Sequence, residues 1–179
     1  MWQGGSVVQS AVMSNATKKV AGGSGSRSGL RYDLQMFAGK SGSASNYILF
    51  NKTHKDSLPK PKGRGPNGGR LQSHHGLQKQ WAIDNLSKYG YDPDLAPTVT
   101  IETGKGMPHT AISNLQNARR DARIASGKGK WSSSLQDELS YIVSGFRAAG
   151  FSDSTINNVL KQQYKMLDKL DVLYERIKY

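Results

Sequence analysis

The spacing of apolar side chains predicts four helices in the chain after residue 76. The first covers residues 77–89, where leucine, tryptophan and alanine repeat on one helical face before Gly90 ends it. The second covers Thr110–Ala125 and carries few bulky apolar residues. Ser134 and Asp153 are placed to cap two further helices with apolar stripes. We expect these stripes to form the core.

Two segments have the composition of β-strands. Residues 46–52, NYILFNK, form a compact aromatic and aliphatic run, and residues 97–103, PTVTIET, alternate and are rich in β-branched side chains. Residues 1–45 are rich in Gly and Ser and have no sustained apolar period, which is typical of a flexible linker. The sequence therefore predicts an α+β domain over residues 46–179, preceded by a linker.

Positive charge is concentrated near the N-terminus. The formal net charge is +12, and 11 of the 25 basic residues but only 2 of the 13 acidic ones lie before residue 71. Such an excess favours a polyanionic partner, nucleic acid or an anionic membrane, although a solvated linker kept soluble by lysine explains it equally well. No apolar run approaches the length of a membrane span, and the N-terminal residues lack the order of a secretory signal. The absence of cysteine excludes disulfides and Cys-ligated zinc.

Two of the four histidines, His74 and His75, are adjacent, and His109 follows 34 residues later. Neighbouring side chains on an extended strand point to opposite faces, which suits a site where one imidazole binds a metal and the other accepts a proton. A neutral imidazole near pH 7 can take a proton from water. A His-His pair by itself is more often incidental, and His54, within NKTHKD, is interpreted as an incidental loop residue.

The ordered set of histidines and its flanks resemble a known nuclease arrangement. SHHGLQKQWA, YDPDLAPTVTIE and PHTAISNLQNARRDAR look like the toxin families of bacterial polymorphic toxin systems that are named for their SHH signature, here Ser73-His74-His75. The resemblance covers residues 70 to about 170. It implies an α+β fold with a ββα-metal (His-Me finger, HNH/endonuclease VII) nuclease core, additional C-terminal helices and, over residues 1–45, a flexible linker or a remnant of an upstream toxin.

The resemblance also implies roles for individual residues. His75 would be the general base, His74 a metal ligand and His109 a second ligand, with Asn114 or Asn117 completing the shell or orienting the base. Because His109 precedes the predicted helix, whereas the family commonly has its last His or Asn on the helix, these three residues compete for one role. We expect His74 and His109 to share a cation, with His75 facing the same cleft. The implied cofactor is one divalent ion, Mg²⁺ first, with Mn²⁺, Zn²⁺ or Ni²⁺ as alternatives.

Several cations are candidates for contact with nucleic acid. Arg119 and Arg123 are four residues apart and share a helix face, from which they could reach a scissile or flanking phosphate. Arg119 is therefore a catalytic candidate, and a solvated face or pairing within the fold is the equal alternative. The candidates for binding the nucleic-acid backbone are Lys60, Lys62, Arg64, Arg70, Arg120 and Arg123.

The function implied by the resemblance is that of a metal-dependent endonuclease toxin. It would hydrolyse nucleic-acid phosphodiester bonds, in DNA rather than RNA and without sequence specificity, after delivery into a rival bacterial cell as the C-terminal cassette of a larger toxin. A cognate, acidic immunity protein would protect the producer. Two alternatives are a non-catalytic basic nucleic-acid-binding module and a docking domain of a larger secreted protein. Convergence of the three histidines in the fold would argue against the docking domain.

Overall fold

The structure is a computed structural model, and it describes residues 45–57 and 63–179. The predicted linker before Ser45 and the candidates Lys60 and Lys62 lie outside the described residues. In chain order the elements are β1 (Ile48–Asn51), β2 (Arg70–His75), α1 (Lys79–Leu86), β3 (Thr98–Thr103), α2 (Pro108–Ala125), α3 (Leu135–Ala148) and α4 (Asp153–Lys169). Every element predicted from the apolar pattern is present.

The three strands form an antiparallel sheet in the order β1-β3-β2. Val99 and Ile101 of the central strand β3 are buried and belong to the core against which α2 packs. His74 is the register partner of Val99, and His75 is the partner of Thr98. Because paired residues share a face, the two histidines lie on opposite faces of the sheet. We call these the α2 face, which carries His74, and the His54 face, which carries His75.

The unit β2-β3-α2 is the ββα core that the resemblance implied, so the predicted α+β fold is confirmed. Pro108 is the first residue of α2, a position where proline is favoured because its missing N–H would have no helical partner. The expectation that His109 precedes this helix is therefore wrong, since His109 lies within the first turn. α3 and α4 are the additional C-terminal helices.

Polar caps begin both C-terminal helices. The Ser134 hydroxyl accepts from the Asp137 N–H, and the Asp137 carboxylate accepts from the Ser134 N–H, a complete capping box for α3. For α4 the cap is Ser152, whose hydroxyl accepts from the Thr155 N–H. The prediction that Asp153 caps this helix is thus off by one residue. Asp153 lies in the first turn, where its negative charge interacts favourably with the positive end of the helix dipole.

The core is formed by the apolar stripes of the helices together with β3. Its fully buried side chains include Leu77, Trp81, Ile101, Leu139, Phe146, Ile156, Leu160 and Leu167. Trp81 is anchored by its indole N–H, which donates to the Ser133 carbonyl at 2.9 Å. It is a packing residue, as predicted. Among the described helices none is both long and apolar enough to cross a membrane.

Candidate active site

His74 faces the first turn of α2. Its ring centroid is 4.9 Å from that of His109, and the two rings are nearly perpendicular at 85°. Phe146 of α3 lies edge-on to His74 at 6.0 Å and closes the apolar side of the pair. His74 Nε2 is buried and has no hydrogen-bond partner. Buried polar atoms without partners are rare and costly in native proteins, so this nitrogen is a candidate for binding a ligand.

Both rings of this pair are held neutral. Burial, and then the nearby His109 and His75, lower the pKa of His74 to about 3. Burial, and then the Arg70 charge, lower the pKa of His109. Neutral imidazole is the form that carries a free lone pair and binds metal ions. At pH 7 each of the two rings can therefore offer a nitrogen lone pair to a metal ion.

Ser113 orients the second ring of the pair. Its hydroxyl lies 3.3 Å from His109 Nδ1, one helical turn further along α2. When Nδ1–H donates to the Ser113 hydroxyl, His109 Nε2 carries the lone pair that a ligand can use. The sequence analysis did not single out Ser113, although its i, i+4 spacing from His109 was the signal that could have found it.

His75 lies on the opposite face of β2, and its surroundings are different. Its Nε2 is 2.9 Å from the carbonyl oxygen of Pro93. A carbonyl only accepts, so Nε2 must carry the proton and donate it, which leaves Nδ1 as the lone-pair nitrogen. Burial lowers the pKa of His75 to about 4, against the opposing effect of the Pro93 hydrogen bond, with His54 and Lys79 lowering it further. At pH 7 this ring is a neutral base of fixed tautomer.

The expectation that His75 faces the same cleft as His74 and His109 is wrong. Successive residues of a strand project to opposite faces, and β2 remains extended through His75. His75 is the last residue of that strand. The rings of the two histidines therefore flank one strand end, one on each side.

His54, interpreted from the sequence as incidental, contacts His75. The ring centroids of these two residues are 4.6 Å apart. His54 Nδ1 is 3.0 Å from the Ser73 hydroxyl, which donates to Thr98 Oγ1 at 2.9 Å, and the Ser57 hydroxyl is 2.8 Å from Ser73. A network of hydroxyls thus holds His54 against His75. No local pattern signals this contact, because only the sheet topology brings residue 54 to residue 75.

Asn114, Asn117 and Arg119 are not brought to the histidines. Asn114 is exposed and follows His109 by five residues, which places it roughly 140° around the helix axis. Asn117 is exposed and accepts from Arg120 Nη1 at 3.2 Å. Arg119 follows His109 by ten residues, about 15 Å along the axis. These positions along α2 favour His109 over Asn114 as the neighbour of His74, and the metal-ligand role of Asn114 and the catalytic roles of Asn117 and Arg119 stay predictions.

The arginines of α2 contact groups within the fold. Arg119 donates from Nη2 to the Ser144 hydroxyl at 2.8 Å, and its guanidinium carbon lies 4.2 Å from the Tyr141 ring centroid. Arg123 donates from Nε to the Lys130 carbonyl at 2.8 Å. Arg120 pairs with its neighbour Asp121.

These contacts agree with the alternative of pairing inside the fold for Arg119, which lies on the side of α2 that meets α3. The assignment of Arg120 and Arg123 to a nucleic-acid surface stays a prediction. Burial raises the pKa of the buried Glu138 carboxyl, and the nearby charges of Arg123 and Arg119 offset part of that rise.

The comparison with protein families covers the residues of this site. A family model, Tox-SHH, described as an HNH/Endo VII superfamily toxin with a SHH signature, matches residues 68–168, more than half of the chain. The chain belongs to this family. The matched span begins just before β2 and ends in the last turn of α4, so it contains both His74 and His109.

Family membership confirms the resemblance seen in the sequence. This Tox-SHH domain is accordingly an HNH/Endo VII-type nuclease toxin domain. A search of curated proteins and a search of solved structures found no match.

Proposed function

We propose that this Tox-SHH domain is a metal-dependent endonuclease that hydrolyses DNA without sequence specificity inside a competing bacterial cell. The observation that carries the proposal is the divergent environment of two adjacent histidines. His74 has a buried nitrogen without a partner, and its ring lies beside that of His109. His75 has one nitrogen engaged by a carbonyl, so the other is the acceptor.

His74 and His109 fit the divalent cation that the superfamily generally uses. The partnerless His74 Nε2 and the neutral, nearly perpendicular His109 ring supply two nitrogen donors. Among the described residues no third His, Cys, Asp or Glu joins them, which leaves other coordination positions for water and phosphate. A bound cation would stabilise charge on the phosphate and on the leaving oxygen.

The identity of the ion is part of the proposal. Mg²⁺ is the first expectation from the family pattern. Imidazole donors suit Zn²⁺ and Ni²⁺ at least as well, because Mg²⁺ prefers oxygen ligands. The assay below therefore compares Mg²⁺, Mn²⁺, Zn²⁺ and Ni²⁺.

His75 would act as the general base implied by the resemblance; because its ring lies on the other side of the strand from His74 and His109, it would have to reach the attacking water past the end of β2. With Nε2–H donating to Pro93, Nδ1 is free to take a proton from the attacking water. Its pKa of about 4 keeps it unprotonated at pH 7. An anionic phosphate bound nearby would raise this pKa and so strengthen the base when substrate is present.

Partners and delivery follow from the same proposal. The net charge of +12 suits a polyanionic substrate and an acidic immunity protein that competes for the basic surface. A producer of such a nuclease needs that immunity protein to survive. We propose that residues 46–179 act in the target-cell cytoplasm as the C-terminal cassette of a larger, delivered toxin, and that residues 1–45 link the cassette to it.

A nicking assay tests the proposal. Purified protein is incubated with supercoiled plasmid and each of the four cations, with EDTA as the metal-free control and labelled RNA in parallel. We expect plasmid nicking that EDTA abolishes and little RNA cleavage. Asn157→Ala, an exposed change on α4, is the matched control and should cleave like the wild type. Binding of plasmid without cleavage under every cation would contradict the proposal and leave a non-catalytic binding module.

A further inference from the structure

A cleft of about 430 Å³ opens beside β2, away from the histidine rings. One wall is the hairpin of residues 63–69 that leads into β2, and the other is the turn between β3 and α2. The residues that line the cleft are Arg64, Gly68, Gly69, Arg70, Thr103, Gly104, Lys105 and Met107. Three of these described residues are cations and none is acidic.

The hairpin has a defined turn. The Gly68 N–H donates to the Gly65 carbonyl at 3.0 Å, and the Gly65 N–H donates to the Gly69 carbonyl at 2.8 Å. Gly68 has φ +83°, a left-handed conformation that glycine adopts without steric cost. The turn brings Arg64 directly opposite Arg70 in a bridge that extends the sheet.

This pairing concentrates like charge. Side chains directly opposite each other across two strands lie on one face about 5 Å apart at Cβ, where like charges are destabilising. Neither Arg64 nor Arg70 has an ion pair among the described residues. Lys105 adds a third, exposed cation from the opposite wall. A bound anion would turn this repulsion into attraction.

Glu102 fixes the hairpin in place. Its carboxylate is fully buried and accepts from the Asn67 N–H at 2.9 Å, the Asn67 side-chain amide at 2.8 Å and the Gly69 N–H at 3.1 Å. Glu102 is the register partner of Leu71, so it belongs to the face of the sheet opposite Arg70. The cations are thereby held on a rigid turn, and the carboxylate that holds it is bonded to amides rather than to arginine.

The cleft includes residues of the α2 face, the face of the sheet that carries His74. Arg70 and His74 lie on the same face of β2, four residues or about 13 Å apart. The Arg70 charge is close enough to His109 to contribute to its lowered pKa. A nucleic-acid strand with one phosphate at the His74–His109 pair would therefore place another phosphate, a few nucleotides away, at the cleft.

We propose that Arg64, Arg70 and Lys105 form a subsite for a non-scissile backbone phosphate of the nucleic-acid substrate. The inference rests on the proposed function and deepens it, because it names which part of the substrate binds outside the reacting centre. Lys105 is the contact that the sequence analysis did not single out. The chemistry recognised is the phosphodiester backbone, which DNA and RNA share.

Binding measured without cleavage tests the subsite. A fluorescein-labelled 12-base-pair DNA duplex and the corresponding RNA duplex are titrated in EDTA over a range of salt concentrations, and anisotropy gives Kd. Lys105→Gln and Arg64→Gln should each raise Kd severalfold at low salt. Each should also lower the slope of log Kd against log salt by about 0.9 for DNA, one phosphate contact. Loss in both duplexes supports a backbone subsite, and loss in one assigns the subsite to that polymer.

The matched control removes the same charge at the other end of α2. Lys128 is exposed and follows the C-terminus of this 18-residue helix, whose length of about 27 Å exceeds the Debye length in physiological salt. Lys128→Gln should leave Kd and the salt slope near the wild-type values. Equal effects of Lys105→Gln and Lys128→Gln would overturn the subsite.

A parallel nicking assay separates the two proposals. Cleavage by the wild type together with unchanged binding by Lys105→Gln would remove the subsite and keep the nuclease. Weakened binding by Lys105→Gln in a protein that never cleaves would keep the subsite and remove the proposed hydrolysis.

Discussion

The two faces of the sheet at the end of β2 give the same side chain two different chemical situations. On the α2 face, His74 lies among His109 and Phe146, and its Nε2 has no partner. On the His54 face, His75 lies in a polar region, with Pro93 accepting from Nε2 and His54 against its ring. Burial lowers the pKa of both residues, to about 3 and about 4.

The difference shows that burial alone does not assign a histidine its role. Both rings are neutral at pH 7, but of the two only His74 has a buried nitrogen without a partner, in a ring that lies beside His109. His75 has its tautomer set by a carbonyl, which is what a proton acceptor of defined direction requires. The strand alternation that separates the rings is thus the feature that permits two roles at adjacent positions.

The largest expected effect comes from removing the ring on the His54 face. His75→Ala should reduce plasmid nicking by about 10²–10⁴-fold, the usual contribution of a general base. Its affinity for metal should remain near that of the wild type, because this ring faces away from the His74–His109 pair. Calorimetric metal titration and a sensitive nicking assay measure the two quantities. Rescue of the His75→Ala protein by excess metal would mean that His75 is the metal ligand and His74 the general base.

The next effect comes from the α2 face. His74→Ala should lower metal affinity and nicking together, because it removes one of two nitrogen donors. Excess metal should partly restore its activity, by mass action on the weakened site. His109→Ala should behave in the same way, whereas Asn114→Ala should not change metal affinity. Unchanged metal binding in both histidine variants would place the cation elsewhere.

Gly76, directly after the pair, tests how closely the strand end is supported. A Cβ at this position would lie 2.6 Å from the amide carbon of Gln163, whose side chain is only 2 % exposed and cannot move aside freely. Gly76→Ala should therefore destabilise the fold by about 1–3 kcal/mol, the usual cost of overpacking. Urea unfolding measures the change. Gly129→Ala, where the nearest atom would lie at 3.8 Å, is the control and should be near neutral.

The smallest effect concerns pH. General-base activity needs neutral His75, so kcat/KM should fall only as pH drops towards the lowered pKa of about 4, well below the ordinary 6.5. His54 is one of the groups that lower this pKa. His54→Gln should therefore move the acid limb to higher pH, by less than about one unit. A uniform loss of rate with no shift of the limb would make His54 a purely structural residue.

The sequence alone predicts a large part of this molecule because its signals are local. Apolar periodicity gives the four helices and two of the strands, since a helix face or a strand face repeats within a few residues. Ser134 and Gly90 are recognisable because capping and left-handed termination depend on the residue at that one position. The SHH signature and its flanks predict the family, which the match to residues 68–168 confirms.

The tertiary structure decides which side chains meet. Sequence spacing could not choose among His109, Asn114 and Asn117, and the start of α2 at Pro108 brings His109 to His74. It could not place His54, because residues 54 and 75 meet only through the pairing of β1 and β2 with β3.

The same limit applies to charge. The sequence shows how many cations the chain carries, but the packing of α2 on α3 directs Arg119 towards Tyr141 and Ser144. The hairpin turn at Gly68 instead brings Arg64 and Arg70 together at an open cleft. Composition is a property of the chain, whereas the direction of a side chain depends on contacts between segments that are distant in sequence.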